Sequence, residues 1–556
     1  MNASTATDTH AGTLQVLSAQ EEREKTLAAK KEIQRRDARI VELKQEHAEE
    51  SRQRLKDRTM LFNRLRELEV GLEWGVTRGG WGVWAATLKV GLEDQVATLK
   101  RRAQTALEVG RGRLVDSSGS VLHAYTTVKK AKVQHGDSLT LHINRVRLQA
   151  SCGAFAALLG DGAIVTWGDA GKGGDSSAVQ NQLKNAQHIQ ASHHAFAGIL
   201  GDGTVITWGD AGKGGDSDAV QDQLKNVQQI QACHFAFAVV LGDGSVVTWG
   251  DAELGGDSSA VRDQLRNVQQ IQASFGAFAA LRGDGSVVTW GHAGDGGESN
   301  AVQDQLKSVQ QIQASHQAFA AILDDGSVVT WGSAQHGGDS SGVQGQLKNV
   351  EQIQANLSAF AAILMDGSVV TWGDAPHGGD SSVVQHQLKN VQQIQASDFA
   401  FAAVLGDGSV VTWGEAGDGG DSSAAQDQLK EVQHIQATHA AFAAILGDDS
   451  IVTWGSASKG GDSSAVQGQL KNVRQIQASA GAFAAIVADG SVVTWGDELY
   501  GGDNSAVRHQ LKNVQQIHAS LYAFAAILGD ESIVAWGHAE WGGDIGAVQN
   551  QMKEAL

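Results

Sequence analysis

The fold is decided by a 41-residue unit that reads IQASHHAFAGILGDGTVITWGDAGKGGDSDAVQDQLKNVQQ at residues 189–229. Ten tandem copies of this unit fill residues 147–556 without insertion, and a phenylalanine recurs at the same step from Phe155 to Phe524. Repetition at a fixed period indicates an architecture in which each unit buries its apolar faces against its neighbours. One tryptophan per unit is predicted to belong to the structural core: Trp167, Trp208, Trp249, Trp290, Trp331, Trp372, Trp413, Trp454, Trp495 and Trp536.

Each unit carries the pattern of a β-hairpin. The runs AFAGIL and TVITWG are apolar on both faces, and a Gly-Asp-Gly turn joins them. Such a hairpin has to be covered on both sides, which stacked neighbours achieve. The sequence therefore predicts a mainly β fold, a β-propeller of tandem repeats, with an open β-rich superhelix as the alternative.

Three details of the unit give further expectations. Eight of the ten turns contain Asp-Gly, whereas Asp-Asp at 448–449 and Asp-Glu at 530–531 depart from it and are expected to be strained. Ser-Ser at 258–259, followed by apolar residues four and three apart, predicts a capped helical turn. The stretch RLQAS at 147–151 supplies the IQAS strand before the first hairpin, and the last unit stops just before its own copy. This arrangement favours a closed ring in which an N-terminal strand completes the final blade.

The unit resembles a known repeat. The order Ile-x-Ala-Ser, Ala-Phe-Ala-Ala-Ile-Leu, Asp-Gly-Ser-Val-Val-x-Trp-Gly, Gly-Gly-Asp is similar to the repeat of the regulator of chromosome condensation family over residues 147–556. The resemblance implies a propeller; family members include a guanine-nucleotide exchange factor, HERC-type ubiquitin ligases and a β-lactamase inhibitor protein. This chain departs from the family because Pro376 is its only proline, the family's Gly-Gln-Leu-Gly element is missing, and ten units replace the common seven.

The residues before the repeats divide into four segments. Residues 1–12 are predicted to be disordered, and residues 13–70, without Gly or Pro, predict one long charged helix, a candidate coiled coil for self-association. Residues 71–84 form a Gly/Trp linker. Residues 85–146 predict a small α+β segment, with a helix from about 92 to 108 and strands at 121–127 and 138–143. Its Gly-Asp-x-Leu-x-Leu pattern resembles the ubiquitin-like β-grasp, and a small β cap is the alternative.

Charge and hydropathy restrict the partners. Residues 1–150 hold 26 Lys and Arg against 19 Asp and Glu, net +7, whereas the remainder holds 17 against 43, net −26. An acidic repeat domain repels phosphate backbones, so we expect no nucleic acid. No apolar stretch is long enough to span a bilayer and no signal peptide is recognisable, so we expect no membrane contact and a cytoplasmic or nuclear location.

Enzymatic motifs are missing from the sequence. It contains no phosphate-binding Gly-rich loop with Lys-Ser/Thr, no HExxH and no Gly-x-Ser-x-Gly, so we expect neither an enzyme nor a cofactor. The recurring Asp of Gly-Gly-Asp, such as Asp216 and Asp257, stands alone and is predicted to cap a turn rather than bind calcium. Cys152 and Cys233 lack partners at metal-ligand spacing, and no metal is expected.

Two short segments vary while the rest of the unit barely changes: the pair before Ala-Phe and the four residues after Trp-Gly. Hairpin geometry places both on the edge opposite the Gly-Asp-Gly turn. Aromatic and acidic residues mix there, as on protein-recognition surfaces, although drift of unconstrained loops is the alternative, and so is solvation, metal binding or pH sensing for the histidines. The candidate partner-binding residues are His193, His194, Phe235, Leu254, Phe275, Phe399, Tyr500, Tyr522 and Trp541.

The sequence favours a protein-binding scaffold with a basic or aromatic-binding partner. The resemblance adds two alternatives, namely guanine-nucleotide exchange on a small GTPase and a non-catalytic, HERC-like component of a ubiquitin ligase. No insertion interrupts the 41-residue step to supply an exchange element, and the 556 residues leave no room for a HECT domain.

Overall fold

The structure is a computed structural model and describes residues 77–78, 84–85, 95–107, 112–115, 122, 126–133, 139–143 and 146–555. The chain divides into two compact units, one of residues 1–107 and 114–141, the other of residues 108–113 and 142–556. The predicted disordered N-terminus and long helix lie outside the described residues, as does most of the predicted linker.

The described part before the repeats contains one helix and two small sheets. Helix Val96–Leu107 confirms the helix expected from about 92 to 108. Thr77–Arg78 pairs with Trp84–Ala85, and Gly112–Val115 pairs with Thr140–Ile143.

The strand predicted at 121–127 lies mostly outside the described residues and stays a prediction. Leu122 and Thr126 lie outside any strand, and Thr127 forms an isolated bridge with Gln95. A turn follows at 128–132, and the N–H of Leu122 donates to the carbonyl of Leu114 at 2.8 Å. The ubiquitin-like interpretation stays a prediction.

Each 41-residue unit forms one three-stranded antiparallel sheet, which we call a blade and number from 1 to 10 along the chain. The Ile-x-Ala strand, the Ala-Phe strand and the Trp-Gly strand pair in chain order. The first strands are Arg147–Ala150, Ala186–Ala191, Val227–Ala232, Val268–Ala273, Val309–Ala314, Val350–Ala355, Val391–Ala396, Val432–Ala437, Val473–Ala478 and Val514–Ala519. The second strands are Ala154–Leu158, Ala195–Leu200, Ala236–Leu241, Ala277–Arg282, Ala318–Leu323, Ala359–Leu364, Ala400–Leu405, Ala441–Leu446, Ala482–Val487 and Ala523–Leu528. The third strands are Ile164–Gly168, Val205–Gly209, Val246–Gly250, Val287–Gly291, Val328–Gly332, Val369–Gly373, Val410–Gly414, Ile451–Gly455, Val492–Gly496 and Ile533–Gly537.

Short helical turns follow the third strands, and helix Gln549–Ala555 lies near the end of the chain. Ten turns stand after Trp-Gly: Ala170–Lys172, Ala211–Lys213, Ala252–Gly256, Ala293–Asp295, Ala334–His336, Ala375–Gly379, Ala416–Asp418, Ala457–Lys459, Glu498–Tyr500 and Ala539–Trp541. Three more stand before the next blade: Asp218–Gln223, Ser259–Val261 and Gln467–Gln469.

Neighbouring blades pack a small-residue face against an aromatic face. Between blades 4 and 5, Ala277 and Ala279 meet the rings of Phe319 and Trp331. The Phe319 and Trp331 rings stack at 5.3 Å, and the indole N–H donates to the carbonyl of Gly296 in the preceding unit at 3.0 Å. A Cβ at Gly296, which has a φ of 91°, would lie 2.6 Å from the Phe319 ring, so this position excludes every larger side chain. The ten phenylalanines that recur from Phe155 to Phe524 are 0% exposed, and the ten repeat tryptophans are 3–4% exposed.

The ring closes through the same contacts. Phe155 and Trp167 of blade 1 pack against Ala523 and Ala525 of blade 10, and the Trp167 indole donates to the carbonyl of Gly542 at 3.0 Å. This bond is equivalent to the bond from Trp331 to Gly296, but it joins the first and the last blade of the array. The first strands also contact one another all the way round, including the last with the first, and therefore line the centre. The ten units form a closed ten-bladed β-propeller, not an open superhelix.

The expectation that an N-terminal strand completes the final blade is wrong. Arg147–Ala150 pairs with Ala154–Leu158 of its own blade, and blade 10 already has Val514–Ala519 as its first strand. Only three residues separate the first two strands of blade 1, so local pairing costs little chain entropy. Closure instead depends on the packing of blade faces.

The segment after each glycine pair protects the outer edge of the blade. In blade 5, Thr330 donates to the Ser340 hydroxyl, Ser340 donates to the Gln344 side chain, and the Gln344 amide donates to the carbonyl of Val328 at 2.9 Å. A side chain thus occupies an acceptor of the third strand that a fourth strand would otherwise use.

The Gly-Gly-Asp aspartates cap this segment, as predicted. Asp257 accepts the N–H of Ser259 at 2.8 Å, and Asp216 accepts the N–H of Asp218 at 2.9 Å. The predicted serine cap is wrong in detail, because Ser258 makes no capping bond and its hydroxyl accepts from Thr248 instead. The turn is a short 3-10 turn with the aspartate as its cap.

The hairpin turns follow the expected chemistry. Glycine occupies the last turn position in eight blades, with φ between 75° and 83°. Asp449 and Glu531 replace it with φ of 61° and 68°, a left-handed conformation that costs an L-residue about 1–2 kcal/mol. The two exceptional turns are therefore strained, as the sequence predicts.

Candidate partner-binding face

The two variable segments of every blade lie side by side on one face of the ring, which we call the loop face. In blade 1 the N–H of Asp169, the first residue after Trp-Gly, donates to the carbonyl of Gly153, the second residue of the variable pair, at 2.9 Å. The same bond recurs in the other blades, for example from His292 to Gly276. We call the first residue of the pair the inner position, the second the outer position, and the fourth residue after Trp-Gly the loop position.

The inner positions form a belt around the mouth of the central channel. The N–H of Phe275 donates to the carbonyl of His316 in the next blade at 2.8 Å, and similar bonds continue round to Leu521, which donates to Cys152 at 3.3 Å. A cavity of about 740 Å³ touches all ten blades at this level. Ten backbone segments at a strand spacing of about 4.8 Å enclose a ring roughly 15 Å across.

Four of the predicted residues join into a first aromatic patch across blades 2 to 5. The patch consists of six half-buried rings: His193, His194, His234, Phe235, Phe275 and His316. Along the inner positions the ring centroids are 3.7 Å apart from His193 to His234, and 4.4 Å apart from His234 to Phe275 and from Phe275 to His316. Phe235 meets Phe275 edge to face at 5.1 Å. The contacts form a continuous aromatic surface beside the channel mouth.

Three other predicted residues form a second aromatic patch across blades 9 and 10. Tyr500 stacks on Tyr522 at 4.9 Å, and Tyr522 meets Trp541 edge to face at 4.2 Å. The Lys459 ammonium lies 4.1 Å from the centre of the Tyr500 ring and 2.9 Å from a carboxylate oxygen of Asp497. Leu499, 64% exposed, stands beside this patch.

The remaining two predicted residues stand apart from these patches. Leu254 lies over Gly276 in the next blade, at the border of the first aromatic patch. Phe399 contacts the ring of His377 at 4.6 Å, and this pair belongs to neither patch. All nine candidate residues therefore lie on the loop face, and seven of them are gathered into two patches.

Loop positions lean onto the outer positions of the following blade. The Lys172 ammonium contacts the His194 ring nitrogen, and Tyr500 covers Tyr522. Where the outer position is glycine, a large side chain fills the space: Trp541 would meet a Cβ at Gly153 at 3.1 Å. At these boundaries a loop-position side chain of one blade therefore packs against the outer position of the next.

The loop face is acidic. Its variable segments hold twelve carboxylates and three lysines, a net charge of −9 with neutral histidines. All three lysines, Lys172, Lys213 and Lys459, lie in blades 1, 2 and 8. Within the described residues, the variable segments of blades 3 to 7 therefore contain no lysine or arginine and seven carboxylates.

The histidines of the first aromatic patch are neutral at pH 7. Burial lowers the pKa of His234 to about 3, and the neighbouring His193 adds to the effect. Burial, with the nearby Lys172 ammonium, lowers the pKa of His193 and of His194 to about 4. Burial also lowers the pKa of His316. Across the mouth, burial raises the pKa of Asp398, against the opposing effect of His439.

Several residues of this face were not among the sequence-based candidates. His234 and His316 complete the first aromatic patch, and they occupy the same inner position as the candidate His193. Leu499 and Lys459 border the second patch. Asp295 is buried at the loop position of blade 4. The signal for the two histidines was their shared position in the unit, whereas the burial of Asp295 left no trace in the repeat pattern.

No group of three or more His, Cys, Asp or Glu side chains in the described part of the chain is placed to hold a metal ion. Cys152 and Cys233 are free and buried. In the same residues, no helix combines the length and the apolar character that crossing a bilayer requires.

The fold and the loop face define a repeat protein of the β-propeller class, with variable aromatic and acidic side chains gathered around one end of its channel. No family model matches the chain, and no curated protein matches it.

Similar solved structures include one computationally designed protein and two natural ones. The computationally designed Ika8 is 13% identical over 63% of this chain and 95% of its own, with a TM-score of 0.27. Prp20p of Saccharomyces cerevisiae, the yeast RCC1, is 15% identical over 50% of this chain and 83% of its own, with a TM-score of 0.28. Human WBSCR16 is 16% identical over 57% and 78%, with a TM-score of 0.27.

Proposed function

We propose that this protein is a non-enzymatic scaffold that binds a protein partner through its loop face. The observation that carries the proposal is the gathering of the variable side chains into two aromatic patches on one face, while the rest of the unit repeats almost unchanged. Aromatic side chains that are half-buried and clustered are typical of the energetic centres of protein interfaces.

The partner is a basic protein. The net charge of −9 on the variable segments attracts a positively charged surface and repels nucleic-acid phosphates. The aromatic patches supply apolar contact area. The acidic side chains around them orient the partner and increase the rate of association. Binding of this kind weakens as salt is added, because exposed charges are screened.

Affinity capture tests the proposal. The full chain and a double variant, Phe235→Ser with Tyr522→Ser, are used to recover proteins from a cell lysate, and the recovered proteins are quantified by mass spectrometry. The matched control is Met365→Ser, which removes an apolar side chain that is 76% exposed at a hairpin turn, the opposite edge of its blade. We expect a basic partner to be recovered by the wild type and by the control, and to be lost from the double variant. Recovery of identical proteins by all three, with unchanged thermal melting, would refute the proposal.

The other functions named from the resemblance stay predictions. A nucleotide-release assay with small GTPases tests the exchange-factor alternative, and assembly with ligase subunits tests the HERC-like alternative. Self-association through residues 13–70 and the cytoplasmic or nuclear location also stay predictions.

A further inference from the structure

One carboxylate lines the cavity at the channel mouth. The cavity of about 740 Å³ touches the inner position of all ten blades, and Asp398 of blade 7 is the only aspartate, glutamate, lysine or arginine among the described residues that line it. A volume of this size lies within the range of about 300–1,000 Å³ that is typical of ligand pockets. A ligand in this cavity therefore meets a single carboxylate and no lysine or arginine.

The Asp398 carboxylate is only weakly compensated by the protein. Its side chain is 26% exposed, and its one ion-pair contact within the described residues is with Nδ1 of His439, which lies 3.4 Å from Oδ2. This distance exceeds the range of about 2.7–3.2 Å that is typical of N–H···O hydrogen bonds. Burial raises the pKa of the Asp398 carboxyl, because its charged form loses hydration that the contact with His439 replaces only in part. A cation that enters the cavity would offset this loss.

The walls beside Asp398 are apolar. Leu357, at the inner position of blade 6, is half-buried and donates its N–H to the carbonyl of Asp398 at 3.3 Å. The first strands of blades 6, 7 and 8 end in half-buried alanines that line the same cavity, Ala355, Ala396 and Ala437. An apolar chain attached to the cation can pack on these side chains.

Few hydrogen-bond acceptors are available near Asp398. The carbonyls of Asp398, His439 and Ala480 already accept the N–H groups of the preceding blades at 3.3, 3.0 and 3.1 Å. Burial lowers the pKa of His193 to about 4 and that of His234 to about 3, so these rings of the cavity are neutral at pH 7 and do not repel a cation. The cavity therefore suits a compact cation with few donors better than a guanidinium group with its five N–H donors.

We propose that the channel mouth receives a lysine side chain of the partner, with its ammonium group on Asp398 and its apolar stem against the leucine and alanine wall. This inference rests on the proposed function and specifies its chemistry. A lysine side chain carries one compact charge at the end of a flexible apolar stem. The ammonium group donates to the carboxylate, and water in the open mouth accepts its remaining donors. An arginine places more donors against the same carboxylate, and those left without an acceptor lower its affinity.

Binding of two fluorescently labelled peptides to the full-length protein tests this proposal. One peptide alternates glycine with five lysines and the other alternates glycine with five arginines, so their charges are equal. We expect the lysine peptide to bind about threefold more tightly than the arginine peptide. Asp398→Asn should weaken binding of the lysine peptide about tenfold and abolish the preference.

The matched control is Glu415→Gln. It removes an exposed carboxylate of the same face that makes no capping bond and does not line the cavity. Because exposed charges contribute little, it should weaken both peptides about twofold and keep their ratio.

A second variant guards against a folding defect in the first. Asp398→Leu introduces the leucine that blades 6 and 10 carry at the inner position, so thermal melting should not fall, and the lysine preference should be lost as in Asp398→Asn. Equal affinities of the two peptides for the wild type, or equal effects of Asp398→Asn and Glu415→Gln, would overturn the proposal. If partner capture is lost in the Phe235 and Tyr522 double variant while Asp398→Asn leaves peptide binding unchanged, only this inference fails. If Asp398→Asn removes the preference while that double variant still captures every partner, only the proposed function fails.

Discussion

Gly542→Ala tests the closure of the ring. Gly542 follows the loop position of blade 10 with a φ of 101°, and a Cβ there would lie 2.7 Å from the Phe155 ring of blade 1. The left-handed conformation costs alanine about 1–2 kcal/mol. Overpacking against Phe155 adds about 1–3 kcal/mol. In the closed ring the substitution should therefore lower the free energy of unfolding by about 2–5 kcal/mol.

The matched control is Gly296→Ala, at an internal blade boundary. A Cβ at Gly296 would meet Phe319 at 2.6 Å, and φ is 91°, so the geometry is the same with or without closure. Urea unfolding of the full chain, followed by tryptophan fluorescence, should show equal losses of stability for the two variants. In an open superhelix Phe155 would be remote from Gly542, and only the backbone cost would remain. A loss of about 1 kcal/mol for Gly542→Ala beside a loss of several kcal/mol for Gly296→Ala would refute closure.

Three further predictions concern stability. Trp331→Ala should cost about 3–5 kcal/mol in urea unfolding, because it removes a buried indole and leaves the Gly296 carbonyl without its donor; a cost below about 1 kcal/mol would contradict its place in the core. The pKa of His234 is lowered from 6.5 to about 3 in the folded protein. Between these pH values His234 is protonated in the unfolded chain but not in the folded one, so the free energy of unfolding falls as the pH drops from 6.5 towards 3. Between pH 7 and pH 5, His234 should lower the free energy of unfolding by about 2 kcal/mol. His234→Phe should therefore reduce the difference in unfolding free energy between the two pH values by that amount, and an unchanged difference would show that His234 is solvated. Glu531→Gly should stabilise the protein by about 1 kcal/mol by relieving its left-handed turn, and Asp449→Gly by less because aspartate tolerates that conformation better, as thermal melting would show; no gain from either would mean that the turns are unstrained.

The constant spacing predicted most of the fold because it fixes what each residue must do. A tryptophan that recurs every 41 residues between apolar runs has to be buried against the adjacent repeat unit. Trp331 is buried in this way. The same pattern left closure open, because the angle between blades depends on the fit of Ala277 and Ala279 to the rings opposite, which spacing does not encode. The run at 121–127 had strand propensity but no repeat to support it, and it lies mostly outside the described residues, so that strand stays a prediction.

The candidate site was predicted in position but not in its contacts. Hairpin geometry placed Tyr500 and Tyr522 on one edge, yet their stacking joins two blades and depends on the direction in which a loop side chain leans. Asp295 was missed because its burial follows from the absence of a side chain at Gly276, a relation between two variable segments of one blade. Comparing the repeats by sequence shows which single positions vary. Which variable side chains contact one another is visible only in the structure.

The aromatic and alanine contacts at the seam between blades 10 and 1 repeat those of the nine internal boundaries, although helix Gln549–Ala555 lies only at the seam and the first strand of blade 1 is shorter than the others. A chain cut at another boundary and rejoined at the old one would keep the aromatic and alanine contacts. For the same reason, gain or loss of a whole unit by unequal recombination preserves the fit between neighbouring blades. It alters only the angle between adjacent blades around the ring. The propeller can thus gain or lose blades one at a time. Each such change alters the ring diameter and the side chains around the channel, while the packing between neighbouring blades stays the same.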